Sequence, residues 1–344
     1  MPPSPKPSTA EFVRQQRRRR RVLILAALLS PVAAELALRA SGERGLVLHT
    51  EEGKRQRRAQ PPFKHVLRPG ARVEVTYAPR SGDALRTAVM TINDEGLRGR
   101  APEGGRPQIA CIGDSHTFGF GVSDGEPWPA VLEKELRRNP QAARGPEVLN
   151  YGVGGYGPHQ EAARLALDAL PRRPDIVLWQ WFSNDVEAGM GEDPPSPGRR
   201  RVELWVHPFR GGWVRSLRET SVAVDLLMHR IYRWCRSEAK PAETLANQAR
   251  TSPAWLKALD AIRMARQGAE SSGARFAMVV HPLVVQSGDA FASEALDALA
   301  LEFCAKEGIP CVDLTQTLEP SDANVLRNSD LDYHPSPTCH ALVG

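Results

Sequence analysis

The sequence has no C-x-x-C pair, and its five cysteines, at positions 111, 235, 304, 311 and 339, form no cluster with metal-ligand spacing. That excludes the common zinc modules, and no metal is expected. No cysteine precedes Cys111, which excludes attachment through a lipidated N-terminal cysteine. The odd count leaves at least one thiol free. Cys304 and Cys311 are able to pair in an oxidising compartment, whereas Cys111 sits inside an apolar run and reads as a buried thiol. A basic stripe is lacking as well. The net charge is +5, but Lys6, Arg14 and Arg17 to Arg21 against Glu11 put a surplus of six positive charges in the first 21 residues. The remainder is close to neutral, so no nucleic-acid partner is expected. No internal repeat is visible. What is present is an ordinary globular composition over 344 residues, enough for one large domain with appendages or for two domains.

The basic tail, "RQQRRRRR", runs directly into "VLILAALLSPVAAELALRA". Val22 to Ala34 is free of charge, a length typical of a signal-peptide apolar region; the whole run to Ala40 reaches spanning length but contains Pro31, Glu35 and Arg39. Five arginines directly before it argue for membrane targeting, with the tail retained in the cytoplasm and everything after residue 40 exported. The segment is expected to be a signal anchor or a signal peptide, and the protein to be membrane-anchored or exported, on the extracytoplasmic face.

Residues 41–105 form a lead-in. "ARVEVTYAP" and "LRTAVMTIND" are rich in Val, Thr and Tyr and flank "RSGD", so they read as two short strands around a turn. Beyond residue 105 apolar runs of strand length recur: "QIACIG" (108–113), "EVLNYG" (147–152), "DIVLWQWF" (175–182), "RFAMVV" (275–280) and "IPCVDL" (309–314). Between most of them lie stretches with apolar residues at helical spacing, such as "PAVLEKELRR" and "AWLKALDAIRMARQ". Strand alternating with helix predicts an α/β fold, a mostly parallel five-stranded sheet covered on both faces as a three-layer α/β/α sandwich. Trp179 and Trp181 alternate on one strand and are expected in the core, with Trp128 and Phe118. Residues 186–250 interrupt the pattern with "EDPPSPGRRR" and a helical "SVAVDLLMHRIYRWC", an insertion flanking the sheet. The expected organisation is a basic tail (1–21), the targeting segment (22–40), the lead-in (41–105) and a main domain (106–344) carrying that insertion.

One stretch invites a different reading. "NYGVGGYG" contains G-x-G-x-x-G in Gly152, Gly154 and Gly157, after an apolar run. A dinucleotide site also needs an acidic residue at the carboxyl end of the next strand to hold the ribose. Asp175 has nearly the spacing but opens its strand, and a strand with its own polar turn precedes the motif. No dinucleotide, and no other cofactor, is expected.

Ligands of such sheets bind beyond the carboxyl ends of the strands. Those ends read, in order, "GDSHTFGFG", "NYGVGGYG" and "FSND", and near the terminus comes "LDYHP". They offer the hydroxyl of Ser115, backbone N–H groups among glycines, the amide of Asn184, and Asp332 with His334 two residues on. A nucleophile, donors, a base and an orienting acid are the parts that acyl transfer through a tetrahedral intermediate requires. Among the other histidines, His116 reads as a helix-start residue, His159 as the start of the helix after the glycines, His281 as a residue following a core strand, and His340 as a packing residue.

The blocks "GDSHTFG", "NYGVGGYG", "WFSNDV" and "DYHPSPTCH" resemble, in order, the four blocks of the SGNH (GDSL-type) hydrolases, over about residues 90–344. "TINDEGLRG" is similar to the lead-in of membrane-anchored bacterial members. The resemblance implies a flavodoxin-like sheet, Ser115 as nucleophile, His334 as base, Asp332 as its orienting partner, and an oxyanion hole from Ser115, Gly155 and Asn184. Gly155 would present its N–H, and its glycine neighbours would permit a tight turn through positive φ. The sequence departs from the pattern at Phe182, where glycine is usual, at Tyr333, alone between Asp332 and His334, and at Ser336 and Cys339. Ending at Gly344, it implies a shortened or missing closing helix. The implied activity is a serine esterase acting on carboxylic esters, acetyl esters among them, of small molecules or carbohydrates. The alternatives are an O-acyltransferase acting on an envelope polysaccharide with the same residues, and a non-catalytic envelope protein.

Overall fold

In the computed structural model the described residues are 20, 29–41, 57–60, 63–77, 84–138, 145–183, 185, 212–236, 250–284, 286–287, 290–291, 293–319, 321–329 and 332–344. The lead-in supplies β1 (Arg57–Gln60), β2 (Phe63–Leu67), β3 (Arg72–Tyr77) and β4 (Arg86–Thr91). The main sheet is built from β5 (Gln108–Ile112), β6 (Glu147–Asn150), β7 (Ile176–Phe182), β8 (Arg275–His281) and β11 (Cys311–Asp313); β9 (Gln286–Ser287) and β10 (Ala290–Phe291) form a separate small ladder. The helices are α1 (29–40), α2 (Ser115–Phe118), α3 (Trp128–Arg137), α4 (Pro158–Arg164), α5 (Trp213–Thr220), α6 (Val222–Arg236), α7 (Pro253–Ser271), α8 (Glu294–Glu307), α9 (Thr315–Leu318), α10 (Ala323–Leu326) and α11 (Pro337–Val343).

The five strands lie in the order β6-β5-β7-β8-β11, all parallel, with Ala110 opposite both Leu149 and Val177, and Trp179 opposite Met278. This is the doubly-wound order 2-1-3-4-5, and every carboxyl end falls on one edge. The period-2 alternation of each strand splits its side chains between two layers. Ala110, Ile112, Val177, Trp179, Trp181, Met278 and Val280 face α7 and α8, whereas Ile109, Cys111, Val148, Ile176 and Leu178 face α3 and α11. Trp179 and Trp181 are fully buried, as their alternation predicted. Each such side chain contributes on the order of 4–6 kcal/mol of transfer free energy before entropy is subtracted. Trp128 and Phe118 are also core residues.

Helix α7 shows how the sequence specifies an element. Ser252 caps it by accepting the Trp255 N–H at 3.0 Å, Pro253 occupies the first turn, and Trp255, Ala258, Leu259, Ile262, Ala265 and Ala269 recur on the buried side. Helix α8 stops at Gly308, which takes φ +65°. Strand β11 begins at Cys311 rather than at residue 309, because Pro310 has no N–H to add to the ladder. Strand β6 ends at Asn150, where the side-chain oxygen takes the Gly152 N–H at 2.9 Å and turns the chain.

The two lead-in strands read from sequence are β3 and β4, antiparallel with Val75 opposite Ala88; "RSGD" between them lies outside the described residues. The β1–β2 pair was not expected. The lead-in packs in one cluster with residues of the main domain: Phe63, Val66, Val75, Tyr77 and Met90 meet Phe118, Val153 and Tyr156. Of the insertion, α5 and α6 are described, and α6 covers the helix expected there. The basic tail, apart from Arg20, lies outside the described residues, as do residues 21–28. Within the targeting segment, α1 is described, and no helix among the described residues is long and apolar enough to cross a membrane. A closing helix is present as α11, capped by Ser336. Cys304 and Cys311 are free thiols, as are Cys111 and Cys339; the Cys235 side chain lies outside the described residues.

Candidate active site

Ser115 opens α2, at the carboxyl end of β5. The cap of that helix is Asp114, whose Oδ1 accepts the His116 N–H at 2.9 Å, so Ser115 itself is released from capping. Its hydroxyl donates to Asp114 Oδ2 at 3.3 Å. The short helix is tied on both sides. Thr117 Oγ1 donates to Gln180 Oε1 of β7 at 2.6 Å, and Asn150 Nδ2 of β6 donates to the Thr117 carbonyl at 2.7 Å. Asn150 opens the quoted glycine block, and sequence reasoning gave it no part in holding the site.

The glycine loop runs beside this helix, with Val153 N–H bonded to the Gly113 carbonyl at 3.1 Å. Of its glycines only Gly155 has positive φ, +79°. The expectation that its neighbours use positive φ is therefore corrected. Gly152 is needed for close approach instead, since a Cβ there would stand 2.3 Å from the Phe118 nitrogen. Gly155 is exposed, and neither its N–H nor that of Ser115 makes a hydrogen bond among the described residues. Asn184, the third expected donor, lies outside the described residues. Its neighbours Ser183 and Asp185 are buried, and Asp185 Oδ2 accepts the Phe182 N–H at 3.1 Å, the structural part expected of it.

Asp332 and His334 are brought together. Asp332 Oδ1 pairs with His334 Nδ1 and also takes the His334 N–H at 3.2 Å, so a single intervening residue suffices to orient the ring. Tyr333 is thereby turned outward, 39 % exposed, beside Arg327. Asp332 is 2 % exposed. Burial raises its pKa, but the charge and hydrogen bonds of His334 outweigh that and leave it below the usual carboxylate range. The His334 loop is pinned by the Asn328 N–H on the His334 carbonyl at 2.8 Å. Asn328 also binds the Phe120 carbonyl, and its Oδ1 accepts the Tyr77 hydroxyl of the lead-in at 3.0 Å.

The His334 ring packs over the helix that Ser115 begins, with ring centroids 4.9 Å from Phe120 and 5.5 Å from His116. His116 does start that helix, and it also reaches the site, stacking on Phe182 at 3.8 Å and meeting His281 at 5.1 Å. Phe182, standing where glycine is usual, thus fills the space between two histidines. Burial depresses the pKa of His116 and His340, and that of His281 to about 3, so all three are neutral. Among the described residues, the only carboxylate near the His116 ring is that of Asp114, 3.5 Å from Nδ1 and already engaged in capping the helix, a looser contact than the Asp332–His334 hydrogen bond. His159 lies in the first turn of α4, as read. His340 packs, with its Nδ1 taking the Trp128 N–H at 3.2 Å.

A hydroxyl at the head of a helix on the rim of a parallel sheet, with an imidazole held by a buried carboxylate packed over that helix, suits attack on a carbonyl carbon, and the protein falls in the class of hydrolases that act on esters. The chain belongs to the GDSL-like lipase/acylhydrolase family, which matches residues 111–342. Among solved structures it is similar to a lipolytic protein of the G-D-S-L family from Desulfitobacterium hafniense DCB-2, at 16 % identity over 69 % of this chain and 95 % of that one, with a TM-score of 0.39. It is also similar to a lipase/acylhydrolase from Enterococcus faecalis (14 %, 69 % and 91 %, TM-score 0.41). A third is an α/β hydrolase from the metagenome of Lake Arreo, Spain (16 %, 70 % and 91 %, TM-score 0.42). No curated protein matches the chain at a significant level.

Proposed function

We propose that the protein is a serine esterase that cleaves carboxylic esters through an acyl-enzyme. Ser115 attacks the ester carbonyl while His334 takes its proton, and Asp332 fixes the imidazole tautomer and balances the imidazolium. The oxyanion is held by the N–H groups of Ser115 and Gly155 and the amide of Asn184. His334 then gives its proton to the leaving alcohol and deprotonates the water that releases the acid. The observation that carries this reading is the Asp332–His334 pair packed over the helix that Ser115 begins; the N–H groups of Ser115 and Gly155, which have no partner among the described residues, fit the same reading.

The test is a fluorophosphonate probe together with a chain-length series of p-nitrophenyl esters. Wild type is expected to be labelled at Ser115 and to hydrolyse the series, Ser115→Ala to do neither, and Asn184→Ala to stay folded with turnover about 10²–10³ lower. Unlabelled Ser115 in a folded protein that turns over none of the esters sinks the reading and favours a binding protein. Transfer of acetyl to a sugar acceptor in preference to water would move the same residues to acyltransfer.

The N-terminal segment is read, as part of this proposal, as a membrane attachment that places the enzyme on the extracytoplasmic face. Leu29, Val32 and Leu36 recur at helical spacing on α1 and are each more than half exposed. The other face of α1 is docked. Glu35 accepts the N–H groups of Val222 and Ala223 at the start of α6, and Arg39 reaches the Thr220 carbonyl. The protein is expected to stay with membranes through alkaline carbonate washing; quantitative release into the wash would remove the attachment.

A further inference from the structure

The peptide between Gly154 and Gly155 carries a requirement that its own residues do not meet. Tyr156 N–H closes a turn on the Val153 carbonyl at 3.1 Å, with Gly154 and Gly155 as its central residues. Gly155 has φ +79° and Gly154 does not have positive φ, which makes this a type II turn. Type I and type II turns differ by a flip of the central peptide through about 180°. A side chain at either central position normally decides between them, and glycine at both removes that decision. The flip is not innocuous here. It exchanges the Gly155 N–H for the Gly154 carbonyl oxygen, replacing a donor by an acceptor where negative charge develops.

Among the described residues, one side chain engages this peptide. His65 of β2 has its Nε2 3.0 Å from the Gly154 carbonyl oxygen. A carbonyl only accepts, so Nε2 carries the proton and donates. In a trans peptide the C=O and N–H point in opposite directions, so a carbonyl drawn toward β2 turns the Gly155 N–H away from it. The bond also withdraws electron density through the amide and makes that N–H a stronger donor. His65 is itself fixed by the turn it holds. The Tyr156 hydroxyl donates to the His65 carbonyl at 2.7 Å, the two rings lie 5.5 Å apart, and Phe63 stacks on Tyr156 at 5.8 Å.

We propose that His65, in the lead-in and outside the span shared with the family, is a positioning residue that locks the Gly154–Gly155 peptide in the orientation that offers its N–H to the oxyanion. The proposal rests on the reading of Gly155 as an oxyanion donor. It makes the lead-in a working part of the active site, acting through the backbone and touching no substrate.

The test compares full-length wild type with His65→Ala, His65→Gln and Tyr156→Phe, following kcat and KM on a p-nitrophenyl ester and the affinity of a boronic acid, which forms a tetrahedral adduct with the serine. Loss of the lock in His65→Ala is expected to lower kcat by about 10–100-fold, somewhat less than removal of a donor outright, with KM changed less than about twofold and boronate affinity falling in parallel with kcat. Glutamine keeps an N–H donor at similar reach, so His65→Gln is expected to recover most of the loss. Tyr156→Phe, which keeps the imidazole donor but releases the His65 carbonyl, is expected to lose less than His65→Ala. Unchanged kcat and boronate affinity in His65→Ala would overturn the proposal, as would equal losses in the alanine and glutamine variants, the mark of a role in packing alone. Failure of the esterase reading is separable, because wild type itself then neither hydrolyses the ester nor takes the fluorophosphonate at Ser115.

Discussion

Glu161 of α4 is 1 % exposed, and neither of its carboxylate oxygens has a hydrogen-bond partner among the described residues. Burial first, then the charges of Asp185 and Asp114, push its pKa well above the carboxylate range, and burial with Asp114 does the same to Asp185. Both groups therefore keep a proton in the native state that the unfolded chain releases. For a pKa raised on folding, the stabilisation is complete below the unfolded value and is lost as pH rises through the folded one. Glu161→Gln, neutral at every pH, removes that dependence. Between about pH 5 and pH 8 the melting temperature of wild type is expected to fall relative to that of Glu161→Gln, and parallel curves would show that Glu161 is ionised in the fold. The neutral histidines 116, 281 and 340 act in the opposite sense, weakening the fold as pH drops below their unfolded pKa, but they are common to both proteins and cancel in the comparison.

At the scale of elements, the lead-in is joined to the main domain by polar contacts as well as by its apolar face. Arg98 follows β4, and its guanidinium pairs with Asp124 and donates to the Val122 carbonyl at 3.0 Å, while its N–H meets the Asn150 carbonyl at 3.3 Å. The guanidinium lies 5.4 Å from the Phe118 ring centroid, directly behind the Ser115 helix. The Arg98 side chain is 1 % exposed and that of Asp124 is 37 % exposed, so the two partners are not equivalent. Taking the charge from Asp124 strands a buried cation, whereas taking it from Arg98 leaves a carboxylate that water reaches. Asp124→Asn is expected to cost about 2 kcal/mol, less than for a fully buried pair, and Arg98→Met less again. Urea unfolding of both variants checks the order, and the reverse order would mean that Arg98 acts through hydrogen bonds to carbonyls rather than through charge.

Across the whole molecule, the main sheet was legible because each strand announces itself as an apolar run, and the strand ends brought their polar residues with them. Ser115 and Gly155 follow the carboxyl ends of β5 and β6 and Asp332 meets His334 across a single residue, whereas Asn184 lies outside the described residues. The β1–β2 ladder was not legible. Arg57–Gln60 is polar, Pro61 and Pro62 follow it, and nothing in that pattern alternates. His116 was read only as the start of a helix, because its approach to His334 depends on how a distant loop folds back. His65 had no signal at all, since a hydrogen bond to a backbone carbonyl 89 positions away leaves no mark in the identity of either residue. Phe118, Val153 and Tyr156 sit in the same cluster as the lead-in strands, and the family's shared span begins only at residue 111. A truncation made at that boundary would therefore bare a greasy flank immediately under the nucleophile. Chimaeras between relatives of this enzyme should be spliced ahead of residue 57, so that the hairpins travel with the serine they support.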